Sequence, residues 1–205
     1  MGIGIINFHS LSPKSTSYNR AEQRRVRQAA QRNFGQGYLV MHPLSLDNFI
    51  ARLETGGMKD PLKYRTFQRR LAECFSTTTM PIFIFADSSL RVEVEAWLDR
   101  VAVSTPITAP LVMVETEEGN PLPIFAGQEK DEIAWRLFAK CLRKDLGLRT
   151  LLIAGEEAII DDDYKAKGCV YGARDGLYQF LGVAIAPMLT FPHYATELRF
   201  RRSRR

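Results

Sequence analysis

The sequence predicts a three-layer, Rossmann-like α/β fold: a mostly parallel sheet flanked by helices. Three observations carry this expectation. Four apolar runs, Pro81–Ala86, Leu111–Val114, Arg149–Ala154 and Val183–Ala186, are short and lack polar alternation, as strands covered on both faces do. Segments of helical spacing stand between them, and strand–helix alternation selects parallel sheets with helical crossovers. The composition, 45% hydrophobic and 25% charged over 205 residues, is that of a globular chain long enough to bury a core without staples.

The elements follow in order. Gly2–Asn7 reads as a short first strand, and the Ser/Pro/Asn-bearing stretch after His9 as a loop. Arg20–Phe34 lacks Gly and Pro and places Val26, Ala30 and Phe34 on one helical face. Gly35 and Gly37 then end the helix. Tyr38–Met41 is a short apolar strand. Ser45 caps a helix to about Glu54, and Asp60-Pro61 opens another, with Tyr64, Phe67, Leu71 and Phe75 as its apolar stripe. After Pro81–Ala86, Ser88 or Ser89 caps a helix carrying Leu90, Val94, Trp97, Leu98 and Val101 at strict spacing. Glu129, Asp131 and Glu132 open the next helix near its positive end, with Ile133, Leu137, Cys141 and Leu142 facing inward and Gly147 ending it. Residues 170–181 are helical in pattern despite Gly172 and Gly176, and Thr196–Phe200 reads as an edge strand. Trp97, Trp135, Phe83 and Phe85 belong to the core, since each lies inside a periodic element. The whole is expected to form one α/β domain, with a basic part at 1–75, a βαβ core at 76–197 and an arginine tail at 198–205. Residues 1–75 either extend the sheet or flank it.

Charge is unevenly spread. Residues 1–75 hold 12 basic and 5 acidic side chains, residues 76–197 hold 11 and 18, and residues 198–205 hold 5 arginines and no acid, so a net charge of +5 conceals local values of +7, −7 and +5. Such asymmetry points to a polyanion-facing side or to a solvated face with a solubilising tail. Arg20, Arg24, Arg25 and Arg27 crowd the first helix, and Arg199, Arg201 and Arg202 begin the tail. Arginine pairs bidentately with phosphate, so nucleic acid is the partner these clusters fit. No RRM, KH, zinc-finger or clear helix-turn-helix signature accompanies them.

The three cysteines, Cys74, Cys141 and Cys169, are sparse and form no CxxC pair. That excludes a cysteine zinc site and a disulfide framework, hence a disulfide-linked partner, and places the chain in a reducing, cytoplasmic compartment. No apolar run reaches the ~18 residues that span a bilayer. The first ten residues lack a basic n-region and a cleavage site, and Ile6 stands where a myristoylation signal needs Ser or Thr. No membrane association is expected.

Ligands of open parallel sheets bind beyond the carboxyl ends of the strands. Asp87, Glu115 and Glu156 follow the first three core strands there. If they converge, a Mg²⁺ ion held by one or two carboxylates and a substrate phosphate offsets their repulsion, which implies a phosphohydrolase or nuclease. The alternative is a set of helix caps and solvated loops, with Asp87 as part of a cap. No glycine-rich phosphate loop is present. Cys169 lies in Gly168–Leu177 (GCVYGARDGL), where a cysteine near a helix N-terminus is a candidate nucleophile. That ten-residue stretch resembles the cysteine segment of the isochorismatase and nicotinamidase hydrolases. The resemblance implies a catalytic Cys169, but the family's aspartate after an early strand and lysine after a middle strand have no matching context, and the acidic insert after Gly155 replaces a short turn. The three histidines, His9, His42 and His193, lie apart and read as capping or packing residues. A protein–protein module remains the third reading, for which an exposed apolar patch is the sign.

Overall fold

The computed structural model describes residues 3–11, 19–41, 69, 71–104, 106–117, 129–155, 173, 177 and 184–190. Six strands form one sheet: β1 (Ile3–Asn7), β2 (Gln36–Met41), β3 (Ile82–Asp87), β4 (Leu111–Thr116), β5 (Thr150–Gly155) and β6 (Ala184–Thr190). Their spatial order is β1-β4-β3-β2-β5-β6, and every pairing is parallel. The helices are α1 (Arg20–Arg32), α2 (Arg91–Ser104) and α3 (Glu129–Lys140), with a further helical stretch at 71–77. The expected parallel α/β fold is therefore the observed one. The first 75 residues extend the sheet: they contribute β1 at one edge and β2 near the middle.

From β2 the chain steps one way through β3 to β4, then crosses back past both to β5 and β6. Right-handed crossovers put helices of opposite step direction on opposite faces. The core divides accordingly. One cluster joins Val26 and Ala30 of α1 and Trp135, Phe138 and Ala139 of α3 to Leu39, Phe83, Phe85, Val112 and Val114. The other joins Leu71 and Phe75 and the α2 residues Val94, Trp97 and Leu98 to Tyr38, Val40, Ile84, Leu111 and Met113. Alternate residues of each strand go to opposite clusters, as period-two geometry requires. Trp135 stacks on Phe85 at 5.5 Å and 10°, and the Phe8 ring meets both edge-on. The four aromatic residues assigned to the core are all buried.

Several boundaries differ from the sequence reading for local reasons. Asp87, rather than either serine, caps the turn after β3: its carboxylate accepts the Ser89 N–H at 2.8 Å, and a 3-10 turn, Ser88–Leu90, leads into α2. Ile133 is 47% exposed, because the inward stripe of α3 runs through Ala134, Trp135 and Phe138 instead. β2 begins two residues early and includes Gly37. A Cβ there would lie 2.9 Å from the end of the Leu148 side chain and 3.1 Å from the Pro81 carbonyl, so a larger residue would have to push both neighbours aside. β6 runs on through Pro187, with a register irregularity opposite Ile153/Ala154. Proline is tolerated there because β6 is an edge strand. Both Ala173 and Leu177 are helical and buried in the α1/α3 cluster, as the 170–181 pattern predicts. The helix expected at 46–54, the start of the one at Asp60-Pro61 and the strand at 196–200 lie outside the described residues. Among the described residues, no helix is long and apolar enough to cross a membrane.

Candidate functional site

The carboxyl edge of the sheet brings two of the predicted acidic residues side by side. Ala86 is in register with Glu115, and Asp87 with Thr116. Both carboxylates are buried, at 6% exposure, and burial of a charge requires compensation. Asp87 Oδ1 accepts two hydrogen bonds from Ser89, from its N–H and its hydroxyl, each 2.8 Å long. Glu115 Oε1 accepts a hydrogen bond from Arg91 Nε, which also raises the Arg91 pKa above its ordinary value. Alternation separates the two acids: Glu115 follows Leu111 and Met113 towards α2, whereas Asp87 has the parity of Phe83 and Phe85, which face α1 and α3. β2 also stands between β3 and β5, so the exit of β5 is two strand spacings from Asp87. Glu156 and Cys169 lie outside the described residues. Among the described residues, no group of three or more His, Cys, Asp or Glu side chains is arranged to hold a metal ion.

A contact with no local sequence signal lies at the same edge. The His9 side chain, 1% exposed, places Nε2 at 3.0 Å from Asp131 Oδ1. The Glu117 N–H points at Nδ1 from 3.4 Å, so Nδ1 accepts and the ring proton sits on Nε2, where it donates to Asp131. This pair ties the exit of β1 to the first turn of α3, across 122 residues of sequence. The sequence assigns Asp131 to the helix dipole and His9 to packing. The structure gives them to each other.

The predicted arginines occupy a different place. Arg20, Arg24, Arg25, Arg27 and Arg32 are all exposed on α1, whose buried side is Val26, Ala29 and Ala30. Glu22 is the only acid in that helix. Because α1 and α3 cover the same face of the sheet, their charges add. Over α1, α3 and the π-helical turn Cys141–Asp145 there are ten basic and five acidic residues, a net of +5. Over Arg69, residues 71–77 and α2 on the other face there are three basic and four acidic described residues, a net of −1. The Arg27 side chain passes 4.0 Å from the position a Cβ would take on Gly147, so α1 lies against the turn that follows Arg143 and Lys144. Among the described residues, no carboxylate comes within ion-pair distance of Arg20, Arg27, Arg32 or Arg149. Arg199, Arg201 and Arg202 lie outside the described residues.

No family model, curated protein or solved structure matches this chain. The chemistry must therefore be read from these residues. Arg20, Arg24, Arg27 and Arg32 stand exposed along α1 and give its outer side a positive charge. That side attracts polyanions over a length set by the helix, about 1.5 Å per residue. Among the described residues, the large exposed apolar side chains, Phe34, Val92, Val103 and Ile133, are spread over three helices or their ends.

Proposed function

We propose that this protein is a non-catalytic nucleic-acid-binding protein that meets the phosphate backbone through the α1/α3 layer. One observation carries the reading: among the described residues, the helices on the α1 side are net +5 while those on the other face are net −1, so the described positive charge lies mainly on one side of the sheet. Sorting matters more than the total, because a field of one sign over a broad face raises the local concentration of a polyanion. Arg20, Arg24 and Arg27 recur at i, i+4 and i+7, a stripe along one side of α1. Arg199, Arg201 and Arg202 would add to the same electrostatic attraction. Contacts of this kind carry no sequence information.

The measurement is the affinity for a random-sequence oligonucleotide across a salt series. Each phosphate neutralised contributes about 0.9 to the slope of log K against log salt on duplex DNA, and about 0.7 on a single strand. The triple variant R20Q/R24Q/R27Q should flatten that slope by about one unit for each phosphate no longer neutralised. Removal of residues 199–205 should flatten it further. A flat salt response of the unaltered protein overturns the reading. The Mg²⁺-dependent phosphohydrolase reading has less support, because Asp87 and Glu115 each already hold compensating donors and have opposite strand parity.

A further inference from the structure

At the end of α1 the backbone does something that the sequence does not favour. Gly35 N–H bonds to the Ala30 carbonyl at 2.8 Å, and Phe34 N–H to the Gln31 carbonyl at 3.3 Å. These are the two bonds of a Schellman cap, with Asn33 as the last half-helical residue and Phe34 at the position that glycine usually fills. Phe34 has φ of 57°, the left-handed region, which is a genuine outlier for a bulky residue. Its side chain is 90% exposed, so no burial offsets the strain. Residues held in such conformations without a packing reason gather at functional sites.

The surroundings are rigid and basic. Asn33 Nδ2 donates to the Ala29 carbonyl at 2.8 Å, and Thr79 donates to Asn33 Oδ1 at 3.1 Å. The Gly35 carbonyl accepts N–H bonds from Arg149 at 2.7 Å and Thr150 at 3.1 Å, which ties the cap to the start of β5. A Cβ on Gly35 would lie 3.1 Å from Arg149 Cγ, so the arginine stem packs on the cap beside Phe34. Arg32 precedes Phe34 by two residues, and Arg27 reaches the adjoining Gly147 turn. The exposed ring of Phe34 thus sits on a backbone hydrogen-bonded to α1 and to the start of β5, with exposed Arg32 two residues before it and the stem of exposed Arg149 against the neighbouring Gly35.

We infer that Phe34 is a stacking platform for an unpaired base, with Arg32 and Arg149 on the flanking phosphates, so that the protein prefers single-stranded over duplex nucleic acid. The inference rests on the phosphate-binding reading above. Phosphate contact alone does not distinguish the two forms, whereas stacking on an exposed ring requires a base that is not already paired and stacked. The pre-set cap keeps the ring in place before binding, which lowers the ordering cost.

The test compares the affinities of unaltered protein, F34A and F34W for a labelled single-stranded 15-mer and its duplex at one salt concentration, with salt slopes for each. F34A should lose roughly 5- to 100-fold on the single strand, with little change on the duplex and an unchanged salt slope. F34W should restore single-strand affinity. Equal losses on both substrates, or none on either, overturn the inference and leave the phosphate reading standing. Failure of the unaltered protein to bind either oligonucleotide at low salt overturns both. Circular dichroism of F34A separates loss of the ring from loss of the fold.

Discussion

Replacing Phe34 with glycine should make this protein more stable, although the substitution removes a large hydrophobic side chain. Three contributions decide the sign. A left-handed residue with a Cβ costs about 1–2 kcal/mol, and glycine removes that cost. Glycine also widens the unfolded ensemble, at about 0.4–1 kcal/mol. Burial matters little: Phe34 is 90% exposed, so about a tenth of the 1.5–3 kcal/mol for a fully buried side chain is forfeited, about 0.2 kcal/mol. The balance is a gain of about 0.5 kcal/mol, which for a chain of this size is a rise in Tm of about 1–2 °C. F34A is the informative partner. It removes the ring but keeps the Cβ, so it should fall about 1 kcal/mol below F34G. Thermal unfolding and urea titration of the three proteins give the comparison directly. If F34G is less stable than F34A, the strain assigned to φ of 57° is absent and the argument from it fails. If F34G gains stability and loses single-strand affinity, one residue serves binding at the expense of folding.

Two further outcomes follow from buried groups. Removing His9 or Asp131 singly should destabilise the fold by about 1–3 kcal/mol, since each leaves its partner buried without this hydrogen bond, and the double variant should cost less than the sum; additive losses in a double-mutant cycle would refute a direct coupling. Burial pushes the Cys141 thiol up to about 12, with the Asp145 charge adding to the shift, and burial likewise raises Cys74. The folded protein therefore holds the Cys141 proton longer than the unfolded chain does. Its contribution to stability is full below the usual thiol pKa of 9.0 and is lost as pH rises towards about 12. Residue-resolved alkylation by mass spectrometry should find Cys141 almost unreactive at pH 8 until the protein unfolds; fast modification of native protein would contradict its burial.

The sheet is legible in the sequence because its strands are apolar on both faces. Pro81–Ala86 and Leu111–Val114 admit no other placement in a chain this size, and helices of strict spacing between them force parallel crossovers. β2 is visible there, but its place is not. Tyr38–Met41 is as apolar as the core strands, yet nothing local says that it lies between β3 and β5. Strand order is a long-range property, set by which helices share a face. The same limit hides the His9–Asp131 pair, whose partners are separated by most of the chain. Phe34 departs from its pattern for a different reason. Its i+8 spacing from Val26 assigns it to the buried face, but the helix ends at Arg32 and the left-handed turn at Phe34 rotates the ring outward.

The acidic exits show how far a parallel sheet constrains a site. Parallel strands place their carboxyl ends on one edge, and Asp87 and Glu115 do end adjacent strands. Sharing an edge is weaker than sharing a cavity. Side chains alternate along a strand, so two neighbours in register at Ala86 and Glu115 put Asp87 one step out of phase with Glu115. Half of that phase is written in the sequence. Phe83, Phe85 and Asp87 are one odd-numbered series and Leu111, Met113 and Glu115 are another, and the register pairs each with the even-numbered series of its neighbour only when the two strands are offset by an odd count. The offset, Ile82 to Leu111, is 29 residues. That one number sends Glu115 to the α2 face, to meet Arg91, and Asp87 to its cap. Arginine on a helix needs no such phase: a solvent-facing stripe is fixed by its own helix, so Arg20, Arg24 and Arg27 share one side of α1 whatever the strand register, whereas two strand-end carboxylates share a face only when the offset between their strands allows it.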